Sequence, residues 1–144
     1  VKGGDAHLKN FALLYDNTSE EAVIRLAPAY DIVTTTPYQP HDMLALMMEG
    51  SKAFPQHKRL AQFGRAMCGF PERVVGQILQ EIADGISDAR VEMAEYIRSN
   101  PQFEDIGTKM QAAWNAGVAR SLLSEKRAKV VDMGGVQALE PPTP

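Results

Sequence analysis

Two short apolar runs near the start of the chain are separated by a polar cluster. The first run covers residues 11–15 (Phe-Ala-Leu-Leu-Tyr), and the second covers residues 22–26 (Ala-Val-Ile-Arg-Leu) and closes at Pro28. The turn-forming cluster Asp-Asn-Thr-Ser lies between them, at residues 16–19. Runs of this length on either side of a polar turn are typical of two antiparallel strands. The pattern therefore predicts an N-terminal β-hairpin.

The next stretch has no helical periodicity. Residues 34–40 read Thr-Thr-Thr-Pro-Tyr-Gln-Pro, which predicts a loop because each proline pushes its predecessor out of the helical region. The apolar segment from Met43 to Met48 is ambiguous between strand and helix, but its shortness and the Glu-Gly-Ser turn after it favour a strand or an irregular extended segment. We interpret its methionines as core fillers.

Beyond Pro55 the apolar residues recur at three- and four-residue steps, which is the period of an α-helix. The first helix carries Leu60, Phe63 and Met67 on one face, and Gly69 is placed to end it. Cys68 stands beside this face and is expected to fill the core.

A second helical region is predicted to start at Pro71, because proline fits the first helical position. Its apolar stripe covers residues 74–82 and continues over residues 86–97. Gly85 lies between the two stretches and predicts a break or a kink. Asn100-Pro101 predicts the end of the region.

A last helix is predicted over residues 103–123. Trp114 lies near the edge of its apolar stripe, and we interpret it as packing against the preceding helix. After Ser124 the periodicity fades, which predicts a flexible C-terminal tail over residues 124–144. The predicted fold is mainly α with an N-terminal β-hairpin (α+β), a helical bundle that forms one domain over residues 1–123.

Composition adds few constraints. The chain has 144 residues, of which 44% are hydrophobic and 23% charged, as in one soluble domain. Its net charge of −3 gives no reason to expect nucleic-acid binding, which needs a concentrated Lys/Arg face. The single Cys68 cannot form an internal disulfide, and we see no leader segment and no run of about 18 apolar residues. We therefore expect a cytoplasmic protein without membrane contact.

Candidate chemistry lies at Asp5, Asn10 and Asp31. Asp5 and Asn10 have the spacing found in the catalytic loop of protein kinases, where the aspartate accepts the proton of the attacking hydroxyl and the asparagine binds magnesium. Asp5 is therefore the candidate catalytic base. Amide and carboxylate oxygens are ligands that magnesium selects, so Asn10 and Asp31 are the candidate metal ligands. His7 and Lys9 add potential donors to phosphate oxygens.

The predicted hairpin connects these residues. Asp5 and Asn10 enter the first strand and Asp31 leaves the second, so antiparallel pairing is expected to return Asp31 to the neighbourhood of Asn10. Each part alone has an ordinary interpretation, since Asp and Asn occur at this spacing by chance and Asp is common in turns. We interpret His41 and His57 as surface or hydrogen-bonded histidines, because zinc-site spacing and cysteine partners are missing.

Three strings of the sequence resemble one known family. They are GGDAHLKNFALLYD at residues 3–16, LAPAYDIVTTTPY at residues 26–38 and LALMMEGSKAF at residues 44–54. Together they resemble the C-terminal lobe of the HipA family, the serine/threonine kinase toxins of bacterial toxin-antitoxin systems. The resemblance runs over residues 1–123 and implies the C-terminal lobe of a protein-kinase-like fold.

By position, the resemblance implies specific roles in an ATP- and Mg2+-dependent protein kinase. Asp5 resembles the catalytic base. Asn10 and Asp31 resemble the two magnesium ligands, and Asp31 thereby also belongs to the cofactor site. His7 and Tyr30 resemble neighbours of the bound nucleotide. The resemblance further implies a protein substrate such as an aminoacyl-tRNA synthetase, growth arrest, and a HipB-like DNA-binding antitoxin through which the complex reaches DNA.

The sequence also departs from the pattern of eukaryotic protein kinases. His7 follows the candidate base, whereas those kinases place a histidine before it. A catalytic loop at the fifth residue leaves no room upstream for a Gly-rich loop and a strand lysine, so we expect a fragment without kinase activity of its own. Two other hypotheses are a non-catalytic truncated module that binds an antitoxin or another protein, and an unrelated helical scaffold.

Overall fold

The structure is a computed structural model that describes residues 3–17, 19 and 22–124. Over these residues the chain is mainly helical with one two-stranded antiparallel hairpin, which confirms the predicted combination of elements. None of the helices in this part is long and apolar enough to cross a membrane. The tail predicted over residues 124–144 lies, after Ser124, outside the described residues.

The hairpin consists of strands Leu13–Tyr15 (β1) and Ile24–Leu26 (β2). Its register places Leu13 opposite Leu26, and the Asp16 carboxylate closes the turn by accepting the Val23 backbone N–H at 3.0 Å. Because side chains alternate between the two faces of a strand, four exposed apolar residues share one face. This apolar hairpin face consists of Leu13, Tyr15, Ile24 and Leu26.

The segment after the hairpin is built from loops and turns, as predicted for residues 34–40. Met48 and Ser51 exchange backbone hydrogen bonds of 2.9 and 3.1 Å. Glu49 and Gly50 between them both have positive φ, at 47° and 76°, which is the geometry of a two-residue type I′ turn. Met43 and Met47 are exposed. The prediction that they fill the core is wrong, because a surface loop carries them.

The residues group into two compact units, each described by itself. One unit contains the chain up to Phe54 together with Met93–Trp114. The other contains Pro55–Glu92 and, of the described residues after Trp114, residues 115–124. The α-helices are His57–Ala66 (α1), Glu72–Ser99 (α2) and Glu104–Gly117 (α3). A π-helical segment, Val118–Leu122, follows α3.

In the second unit, α1 ends at Ala66, and Gly69, which the sequence predicted to end this helix, lies a few residues further on. Gly69 has a φ of +69°, which glycine adopts at little cost, and the Phe70 N–H donates back to the Gly64 carbonyl at 3.0 Å. Met67 and Cys68 are exposed. The expected burial of Cys68 is wrong, because the helix ends at Ala66 and the next residues lie in the turn.

The helix α2 passes through Gly85 without a break, so the predicted break there is wrong. A glycine inside a helix costs only about 1 kcal/mol relative to alanine, and it keeps its backbone hydrogen bonds. The buried apolar side chains of the second unit lie on α2 at four-residue steps, which is one helical stripe. They are Val75, Leu79 and Ala83.

Two further bonds join distant segments within the second unit. The Ser121 hydroxyl donates to the Pro55 carbonyl at 2.7 Å, and a ring nitrogen of His57 lies 3.0 Å from the Leu122 carbonyl oxygen. The start of α1 is therefore tied to the π-helical segment. His57 is a hydrogen-bonded histidine, as the sequence predicted.

In the first unit, Trp114 joins α3 to the loop after the hairpin. Its indole N–H donates to the Thr34 hydroxyl oxygen at 2.6 Å, and Thr34 is only 5% exposed. The sequence predicted simple packing for this tryptophan. Its polar contact was not foreseen, because the partner lies 80 residues away in the chain.

Candidate functional site

The candidate base and the first candidate ligand lie in one compact loop before β1. The backbone N–H of His7 is within hydrogen-bond distance of the Asp5 carbonyl, at 2.9 Å, and of the Asn10 Oδ1, at 3.1 Å. A 3₁₀ turn, Leu8–Asn10, closes the loop. Asp5 and His7 are exposed, so both side chains are accessible to a ligand.

Asn10 and Asp31 lie side by side. The Asn10 Nδ2 donates to the Asp31 Oδ2 at 2.7 Å across 21 residues of sequence. The hairpin produces this contact, because Asn10 precedes β1 and Asp31 follows β2. The meeting of these two side chains was predicted from the strand pattern and is confirmed.

The backbone of Asp31 is in the left-handed region, with a φ of 54°. Aspartate enters this region more often than most residues, but the conformation is still uncommon outside glycine. Such backbone outliers cluster at functional sites, where the surrounding contacts hold them in place. The bond to Asn10 is one such contact.

Tyr30 makes a second connection between the two ends of the hairpin. Its hydroxyl donates to the backbone carbonyl of Lys9 at 2.6 Å. Tyr30 precedes Asp31 and Lys9 precedes Asn10 in the sequence, so this bond is the direct neighbour of the Asn10–Asp31 bond. The structure therefore gives Tyr30 a role in holding the 3₁₀ turn, whereas a contact of Tyr30 or His7 with a nucleotide remains a prediction.

A cavity of about 280 Å³ opens beside the two candidate ligands. Asn10 and Asp31 contribute polar groups to its wall, and Ala6 reaches it from the loop before β1. The remaining wall is mostly apolar. It includes Phe11, Leu26, Pro28, Tyr30, Ile32 and Val33.

Two residues that the sequence did not single out lie next to the candidate base. The Gly4 N–H donates to the Thr35 hydroxyl oxygen at 2.8 Å, and the Thr35 hydroxyl donates to the Asp42 carboxylate. A Cβ on Gly4 would collide with this carboxylate. The glycine pair before Asp5 was the one sequence signal for a close approach of the backbone at this place. Nothing in the sequence distinguishes Thr35 from the threonines on either side.

The residue types at this place fit magnesium, which is usually bound by one or two carboxylates together with water and substrate phosphates. In the structure the Asn10 nitrogen faces Asp31, and the Asn10 Oδ1, the atom that could bind a cation, accepts the His7 N–H. Over residues 3–17, 19 and 22–124, no three His, Cys, Asp or Glu side chains form a cluster that could hold a metal ion.

Comparison with known proteins gave one match. A family model described as the HipA-like C-terminal domain matches residues 1–90, which is more than half of the chain. The matched range contains the hairpin, all the candidate site residues and α1. Searches of curated proteins and of solved structures found no match.

Proposed function

The chain belongs to the HipA-like C-terminal domain family, and from that premise we propose that its site takes part in transfer of the ATP γ-phosphate to a serine or threonine hydroxyl of a protein. The observation that carries this proposal is the contact between Asn10 and Asp31 at 2.7 Å. It supports a magnesium site at the end of the hairpin, a few residues from the exposed carboxylate of Asp5.

Phosphoryl transfer requires positioning and charge neutralisation more than covalent chemistry. Asp5 orients the attacking hydroxyl and accepts its proton as the bond to phosphorus forms. Asn10 and Asp31 would hold Mg2+, which would supply neutralisation of the negative charge on the phosphate oxygens. The apolar walls of the cavity suit the flat base of a nucleotide, since small-molecule sites are mostly apolar with a few polar groups.

The nucleotide's phosphates need further groups. Protein kinases use a Gly-rich loop and a strand lysine for this purpose, and the 144 residues contain no Gly-x-Gly-x-x-Gly motif. We therefore propose that the chain acts together with a nucleotide-binding lobe and transfers no phosphate by itself. Transfer from labelled ATP by the purified chain would contradict this part of the proposal.

The proposed setting is that of a toxin kinase in a type II toxin-antitoxin system. Its substrate is then a cytoplasmic protein of the translation machinery, such as an aminoacyl-tRNA synthetase, and its partner is a HipB-like DNA-binding antitoxin. Contact with DNA is indirect, through the antitoxin. This matches the net charge of −3, which gives the chain itself no general affinity for phosphate backbones.

The metal site can be tested on the chain itself with Mn2+, which takes the same oxygen ligands as Mg2+ and broadens nearby NMR signals. We expect Mn2+ to broaden the backbone amides of Asn10 and Asp31 in the labelled protein. Asp31→Asn removes the charge but keeps the size of the side chain, and asparagine also tolerates positive φ. Loss of a charged ligand is expected to weaken Mn2+ binding by at least about tenfold.

Asp88→Asn is the matched control, because Asp88 is an exposed carboxylate on α2. It removes the same charge at a distant place in the sequence and is expected to leave the affinity unchanged. Equal Mn2+ affinity of the wild type and Asp31→Asn would refute the assignment of Asp31. A similar loss in both variants would show that only net charge matters.

The apolar hairpin face favours a second function, which is binding of a protein partner. Its four side chains are between 54% and 64% exposed, and contiguous exposed apolar surface is typical of protein interaction sites. One variant in the hairpin face and one in the candidate metal site separate partner binding from metal binding. Ile24→Asp is expected to abolish binding to a purified HipB-like antitoxin in calorimetric titration if the face is the docking site, whereas Asp31→Asn leaves that binding intact.

A further inference from the structure

We propose that Thr35 and Asp42 are positioning residues for the candidate base Asp5, which they hold in place through the backbone of Gly4. The inference rests on the proposed function, because it concerns the placement of the base in that reaction. It adds two residues that do not belong to the Asp, Asn and Asp set.

The contacts form a chain of hydrogen bonds in one direction. The Gly4 N–H donates to the Thr35 oxygen at 2.8 Å, and the Thr35 hydroxyl donates its single proton to the Asp42 carboxylate. The other oxygen of Asp42 accepts the Met43 backbone N–H at 2.9 Å. A hydroxyl whose proton is given to a carboxylate is a better acceptor, so the Gly4 bond is strengthened by the Asp42 charge.

Close packing also restricts the position of the Gly4 backbone. Gly4 is buried, and a side chain at this position would overlap the Asp42 carboxylate. Only a glycine therefore allows the backbone to approach Asp42 so closely. One peptide bond joins Gly4 to Asp5, so the position of the Gly4 nitrogen determines where the Asp5 backbone begins.

The two ends of the catalytic loop are then held by different parts of the first unit. Asp31 and Tyr30 hold the end at Asn10 and Lys9. Thr35 holds the end at Gly4. The distance between base and metal ligands depends on both ends, and a displacement of about 1 Å in a catalytic group can reduce a rate by about 100-fold.

The neighbouring Thr36 provides a matched control. Its hydroxyl oxygen is buried and has no hydrogen-bond partner in the described part of the chain. Thr36→Val thus removes the same atom as Thr35→Val, one residue away, without removing a bond. An effect that Thr35→Val has and Thr36→Val lacks therefore reports on the contacts of the Thr35 hydroxyl.

Two NMR measurements on the labelled 144-residue chain test the inference. Thr35→Val is expected to speed hydrogen exchange of the Gly4 amide by about tenfold, from the loss of one charge-assisted bond. In the presence of Mn2+, it is expected to reduce broadening of the Asp5 amide while broadening at Asp31 stays as in the wild type. Thr35→Ser restores both values because it keeps the hydroxyl, and Thr36→Val changes neither.

The outcomes separate the inference from the function on which it rests. Suppose that Mn2+ broadens the Asp31 amide in the wild type but that Thr35→Val does not change the broadening of the Asp5 amide. This result would overturn the positioning role and leave the proposed function standing. Absence of broadening at Asp31 in the wild type would overturn the proposed function and the positioning role with it. If Thr35→Val does not fold, Asp42→Asn takes its place, with about threefold faster Gly4 exchange expected because only the charge is lost.

Discussion

The hydrogen bond from Trp114 to Thr34 can be measured with a double-mutant cycle. The two atoms are 2.6 Å apart, and Thr34 is almost completely buried. Trp114→Phe removes the indole N–H but keeps an aromatic ring. Thr34→Val removes the acceptor and keeps the branched shape. The cycle therefore isolates one contact between α3 and the loop of residues 34–42.

The expected free energies follow from burial. A buried polar group that loses its partner costs about 1–3 kcal/mol of stability. We expect Thr34→Val to cost about 1–2 kcal/mol, because it leaves the Trp114 N–H unpaired. Trp114→Phe is expected to cost about 2–3 kcal/mol, because it also removes apolar contact area. The double variant has no unpaired group at this place, so its loss is expected to fall about 1 kcal/mol short of the sum.

Urea unfolding followed by far-UV circular dichroism measures these values. The control cycle combines Trp114→Phe with Thr36→Val, since the Thr36 hydroxyl has no partner among the described residues. Its two effects are expected to add within about 0.5 kcal/mol. A coupling energy near zero for Thr34 and Trp114, or an equal coupling in the control cycle, would refute the reasoning.

Two further substitutions test the helices. Gly85→Ala is expected to raise the free energy of unfolding by about 0.5–1 kcal/mol in urea, because a Cβ at this exposed helical position meets no atom within 4 Å. Gly107→Ala is the control, and it is expected not to raise the free energy of unfolding, because its Cβ would lie 2.6 Å from the Ile97 side chain. Leu79→Ala is expected to lower stability by about 2–4 kcal/mol in thermal unfolding. A loss below about 1 kcal/mol would show that Leu79 is not central to its unit.

The parts of the structure that depend on local sequence were predictable. Two apolar runs and a polar turn determined the hairpin, and the hairpin brought Asn10 and Asp31 together. Gly69 was recognisable as a residue where the chain changes direction after α1, because few other residues adopt its positive φ. In each case the physical cause lies within a few residues of the feature, or follows from the pairing of two neighbouring strands.

The parts that depend on distant contacts were not predictable. Three consecutive threonines look alike in the sequence, yet the Thr34 hydroxyl bonds Trp114, the Thr35 hydroxyl bonds Gly4 and the Thr36 hydroxyl oxygen has no partner among the described residues. Only the tertiary arrangement distinguishes them. The exposure of Cys68 has a similar cause, because periodicity places a residue near an apolar face but does not say where the helix ends.

These contacts allow the candidate base and the candidate metal ligands to be perturbed separately. Asp31 belongs to the end of the hairpin, whereas Thr35 belongs to the loop that Trp114 ties to α3. A variant on the hairpin side therefore changes metal affinity first, and a variant on the loop side changes the placement of Asp5 first. The loop between Gly4 and Asn10 connects the two ends. Because Thr35→Val is expected to leave Mn2+ binding at Asp31 unchanged, its combination with Asp31→Asn is expected to bind Mn2+ as weakly as Asp31→Asn alone. A rate that requires both groups in their correct positions would instead fall by more in the combination than in either single variant.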